Sequence, residues 1–85
     1  MSPTKDRETY AYYLRDLGYL VREAGEQTTG EVAGAKTPED TTFEKGRQMA
    51  YVEVLSLMQQ QADAFGIPVE ELCLDGLDPE NDLLT

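Results

Sequence analysis

The residues of this chain best suited to contact chemistry are Tyr12, Arg15, Tyr19 and Arg22. Their spacing of i, i+3, i+7 and i+10 sets them in one row on a helix turning by about 100° per residue. Tyrosine and arginine are the types enriched at binding hot spots, where a ring or a guanidinium supplies contact area together with directional donors. The row is also the most concentrated basic stripe in a chain with 17 acids, 7 bases and a net charge of −10. Three readings compete for it. It is a solvated face in which Arg22 pairs with Glu26, a docking strip for the chain's own acidic tail from Glu70 to Asp82, or a binding site for a separate partner.

Arg47 is the other charged residue out of place, because it falls in the apolar half of a second helix, four residues before Tyr51. One reading lets it run its stem over the apolar surface and keep its guanidinium in water. The other makes it half of a buried ion pair with a carboxylate of the first helix or of a second subunit, fixing the register of a bundle.

No other pattern points to chemistry. The chain has no histidine, so general acid–base work would fall to carboxylates, lysine or tyrosine. No two acids share an apolar face, and there is no nucleophile motif and no glycine-rich phosphate loop. No catalytic residue and no cofactor are therefore expected, and the chain reads as a non-enzyme. The run Asp75 to Asp82, DGLDPEND, puts its glycine second and so lacks the frame of a helix–loop–helix calcium site. With one cysteine and no histidine, zinc is not expected either. Cys73, between Leu72 and Leu74, reads as a small packed hydrophobe. A single cysteine suits a reducing compartment, and the expected location is cytoplasmic. The charge disfavours nucleic acid and anionic membrane as partners, and no stretch is long and apolar enough for a signal peptide or a bilayer span.

The elements that would position these residues follow from hydrophobic period. Tyr10, Tyr13, Leu14, Leu17, Leu20, Val21 and Ala24 line one face of a first helix over about residues 4–26, opened by Ser2-Pro3 or Thr4. Gly18 interrupts that face at a cost of about 1 kcal/mol against alanine, which suits a close approach of another element. Residues 27–40, rich in glycine and threonine, read as a flexible loop, although about 2–8 residues is the usual length between helices. The longest periodic stretch gives a second helix over about 41–65. Its apolar residues form two adjacent seams of 4,3 spacing, Tyr51, Leu55, Met58, Ala62, Phe65 and Phe43, Arg47, Ala50, Val54, Leu57, Gln61, Ala64. Thr41 to Glu44 fits a capping box, and Thr37-Pro38-Glu39-Asp40 is a second possible start. Gly66, Ile67 and Pro68 form a stop. Residues 68–85 read as a short helical turn and an acidic tail, whose leucines should fold it back along the helices.

The fold expected is all-α: one small domain built as a helical hairpin. Tyr51, Val54, Leu55, Leu57, Met58 and Phe65 form a core and dimer face too wide for one neighbour. Two hairpins closing into a dimeric four-helix bundle would cover it; a monomer with the tail as third element is the alternative. The function expected is a small acidic interaction or regulatory module. The second reading is an acidic inhibitor or immunity-type protein that blocks a basic site, such as one that takes nucleic acid. It draws on the absence of any Lys or Arg after Arg47, while Glu53, Asp63, Glu70, Glu71, Asp75, Asp78, Glu80 and Asp82 all follow. Against both stands the plain reading that negative charge keeps a small helical protein in solution.

Overall fold

Thr37 and Pro38 start the second long helix. The Thr37 hydroxyl accepts from the Asp40 backbone N–H at 3.0 Å, and Pro38 occupies the first turn, where its missing N–H costs nothing. Of the two starts the sequence offers, the earlier is used, and α2 spans Pro38–Ala64. Its end is the expected one. Gly66 takes φ 69°, Ile67 N–H returns to the Ala62 carbonyl at 2.8 Å, and Gly66 N–H returns to Asp63. These two bonds satisfy carbonyls that the helix end leaves open.

The computed structural model describes residues 3–84, with side chains from Arg7 onward. The first helix, α1, spans Pro3–Ala33; Ser2, a suggested opener, lies outside the described residues. The expected loop over 27–40 shrinks to residues 34–37, because α1 continues through the Thr28–Thr29–Gly30 stretch. Weak local propensity is overridden there by tertiary contact. Thr28 is fully buried and returns its hydroxyl to the Gly25 carbonyl, Thr29 donates to the Leu83 carbonyl at 3.1 Å, and Glu31 pairs with Arg47. The short loop makes the two helices an antiparallel hairpin.

The segment 68–84 lies lengthwise over one face of this hairpin. It forms a 3-10 turn, Val69–Leu72, and a short helix α3, Pro79–Leu83, capped by Asp78. Among the described residues the architecture is all-helical, two long helices and a short one. Four of the seven buried apolar residues belong to this tail: Leu72, Leu74, Leu77 and Leu83 pack on Val52, Leu55 and Ala62 of α2. Fully burying each leucine is worth about 1.5–3 kcal/mol, so the tail is half of the core. From α1 the contribution is mostly space. A Cβ on Gly18 would stand 2.0 Å from the Leu72 carbonyl oxygen, and one on Gly25 would stand 3.0–3.3 Å from side-chain atoms of Leu83, Leu55 and Tyr51. The close approach expected at Gly18 is real, and what approaches is the tail backbone.

Candidate interaction surfaces

Burying a strand of irregular backbone leaves its carbonyls needing donors. The helices supply them from polar side chains. Arg22 Nη1 donates to the carbonyls of Cys73 (3.0 Å) and Asp75 (2.9 Å). Gln59 Nε2 donates to Leu77 (2.8 Å) and, more weakly, to Leu74 (3.4 Å). Gln48 Nε2 and the Thr29 hydroxyl both reach Leu83. Cys73 is half-buried and sits at φ 58°, the left-handed conformation that closes the 3-10 turn and that glycine usually fills. Its carbonyl is one of the two held by Arg22.

These contacts divide the row Tyr12, Arg15, Tyr19, Arg22. Arg22 is a tail clamp, and it also approaches Glu26 at 3.6 Å, so two of the readings offered for the row meet in this one side chain. It grips main-chain oxygens, whereas charge pattern alone pointed to the tail's carboxylates. Tyr12, Arg15 and Tyr19 stay exposed, with Cys73 beside them across a shallow depression. The Tyr19 hydroxyl donates to the Glu23 carboxylate; this bond and the neighbouring negative charge, with slight desolvation, raise its pKa above the ordinary tyrosine value.

Arg47 binds two carboxylates, Glu44 on its own helix at 2.8 Å and Glu31 on α1. The first-helix partner is thus Glu31. The cluster joins the two helices beside their connecting loop and is well exposed, with Arg47 38% and Glu31 42% accessible. The hydrogen bonds of Arg47 to Glu44, then to Glu31, hold the guanidinium pKa above its already high ordinary value. Among the tail acids, Asp78 accepts from the Asn81 backbone and side chain, and Asp82 accepts from the Asp78 N–H, so both are engaged in capping. Among the described residues no three His, Cys, Asp or Glu side chains gather as a metal site would need. No helix among the described residues is long and apolar enough to cross a membrane.

The two seams of α2 part company. Tyr51, Leu55, Met58 and Ala62 turn inward, while Phe65, at the end of that seam, is exposed. In the second seam Phe43, Ala50, Val54 and Leu57 face outward, with Leu57 57% and Phe43 65% accessible. Tyr13, Leu17 and Leu20 of α1 are exposed as well. Helical period puts both exposed groups on the hairpin face opposite the tail. On α1, Leu20 is about 200° from Gly18, which touches the tail; on α2, Leu57 is about 200° from Leu55. The face assigned to core and dimer therefore splits: Tyr51, Leu55 and Met58 form core, and Val54, Leu57 and Phe65 form surface. Sequence period missed Val52, Gln48 and Gln59, which lie on the polar side of α2 and are covered by the tail. Two glutamines eleven residues apart, flanking an inward valine, were the available sign of a second covered face.

Comparison with models of protein families, with curated proteins and with solved structures gives no match.

Proposed function

We propose that this chain is a small acidic protein-interaction or regulatory module with no catalytic activity of its own, and that it works as a homodimer. The single observation behind this reading is the apolar face opposite the tail, from Tyr13 to Leu20 on α1 and from Phe43 to Leu57 on α2. A contiguous apolar patch on a small protein marks a contact surface. A second hairpin with the same face fits it by twofold symmetry and makes the four-helix bundle. Area supports the same reading. The chain exposes 6044 Å², whereas a compact monomer of its mass exposes about 5,000 Å². The excess, roughly 1,000 Å², is close to the 800 Å² or so that each partner contributes to a standard interface.

The test is molar mass by light scattering at micromolar concentration. Twice the chain mass is expected. A single-chain mass persisting to hundreds of micromolar would end the dimer reading.

A further inference from the structure

The tail meets α1 at Gly18 and runs toward the hairpin loop, so on the N-terminal side of Gly18 only the tail's first turn, with Glu71 and Leu72, borders the same face of α1. There Arg7, Tyr10, Leu14 and Arg15 meet Ile67 and Leu72 around a groove of about 340 Å³. Its lining is mostly apolar, and Arg7 and Arg15 stand in it two helical turns apart, about 12 Å along the axis. Neither arginine has a hydrogen bond or ion pair with any described residue. That is unexpected in a chain with 17 acids for 7 bases, where Arg22 and Arg47 both find carboxylates. One acid, Glu71, also lines the groove, on the tail side and without a partner among the described residues.

We propose that this groove is the docking site for an acidic amphipathic segment of a partner protein, which seats a large apolar side chain against Leu14, Ile67 and Leu72 and presents a carboxylate to each of Arg7 and Arg15. Charge complementarity carries the choice of occupant. Two guanidiniums flanking an apolar depression match two carboxylates flanking an apolar anchor. Tyrosine and arginine around a concave apolar centre also have the composition of a hot spot. Glu71 sets polarity across the groove, favouring an occupant whose acids lie on the α1 side. The net charge of −10 weighs against a polyanion such as nucleic acid. The proposal rests on the chain being an interaction module and gives its partner a chemistry; it does not depend on the dimer.

Selection from a random displayed peptide library on the full chain tests it. Synthesised peptides from the selected pool are then titrated by fluorescence polarisation and mapped by amide chemical shifts. The expected peptides carry acidic residues about two helical turns apart around a large apolar residue, and shift Ala11, Leu14, Ile67 and Leu72. Arg7→Glu with Arg15→Glu should weaken them at least tenfold with the melting temperature unchanged, and Leu57→Asp should leave them bound. A pool without acidic enrichment, an empty pool, shifts confined to the Leu20–Leu57 face, or unchanged binding by the double variant would each overturn it. Light scattering on the same samples separates the two readings. A single-chain mass with peptides still bound removes the dimer alone, and a dimer that selects nothing removes the groove alone.

Discussion

Tyr19 shows how an exposed side chain carries a measurable trace of its neighbours. Its hydroxyl donates to Glu23 one turn along, and a deprotonated tyrosine would lose that bond and face the carboxylate as a like charge. The folded pKa is therefore raised above the unfolded value, which is about 10. The sign follows: the bond's contribution to stability is fully present below pH of about 10 and is lost as pH rises through the folded pKa. Ring-carbon NMR titration should find Tyr19 deprotonating above the ordinary range, and Glu23→Gln should bring it back down. An unchanged Tyr19 titration in that variant would show that Glu23 is not the cause. Arg47 was the legible case at this scale. Its place amid apolar residues required a carboxylate partner or an escape to water, and it has both, in a bridge to Glu31 and Glu44 that stays wet.

At the scale of elements, the tail depends on two features of α1. The first is the missing side chain at Gly18. Alanine there gains about 1 kcal/mol of helix propensity, but its methyl would meet the Leu72 carbonyl at 2.0 Å, and such overpacking costs about 1–3 kcal/mol. Gly18→Ala should lower the melting temperature and speed amide exchange from Leu72 to Leu83. Gly30→Ala, with nothing within 4 Å of the new methyl, should raise the melting temperature. The second feature is Arg22. Arg22→Met leaves the Cys73 and Asp75 carbonyls without their donor, and exchange at Leu74 to Leu77 should quicken. Arg15→Glu should leave it unchanged, because no tail atom bonds to Arg15 among the described residues. The end of α2 was readable at Gly66, where a glycine decides it locally; its start lies at Thr37-Pro38, the second of the two starts offered and not the expected position near 41. The end of α1 was not readable, because Thr28 and Thr29 are held by contacts more than fifty residues away at Leu83 and by burial against the other elements. Donors such as Gln48 and Gln59 read as solvent-facing for the same reason: their acceptors are backbone, which leaves no mark in the sequence.

At the scale of the whole molecule, the dimensions are 54 × 23 × 15 Å with a radius of gyration of 15.3 Å. A compact chain of this length would have about 12 Å, so the hairpin is long and thin, little more than one helix and a tail deep. Two adjacent seams on α2 announced more than one neighbour; α1 and the tail cover one seam, and Phe43, Val54 and Leu57 of the other are exposed. Leu55 and Leu57 stand two residues apart in the sequence, and one faces each side. Sequence period sets both on one core and dimer face; burial separates them, with Leu55 enclosed and Leu57 exposed. Leu55→Asp buries a charge at a fully enclosed position and should abolish cooperative unfolding. Leu57→Asp should keep the helical circular dichroism and give a single-chain mass. If Leu57→Asp instead keeps twice the chain mass, the face opposite the tail is not the contact between subunits.

The tail contacts also bear on the order in which the chain reaches its native state. Helix pairing in the hairpin begins beside a connection of four residues and can zip outward from Arg47 and Glu31, sixteen positions apart. The contacts from α1 to the tail join residues 51 to 54 positions apart. Closing so large a loop costs entropy that local contacts do not. The tail meets α2 over only 15 to 18 positions, through Gln59, as locally as the hairpin pairs, so the grip of α1 on the tail is the contact that closes against the largest loop. Without the tail, Val52, Leu55 and Ala62 would stand open on one side of the hairpin, and Val54 and Leu57 are exposed on the other. A hairpin stripped of its tail is thus two-faced, and docking of the tail closes one of those two apolar faces.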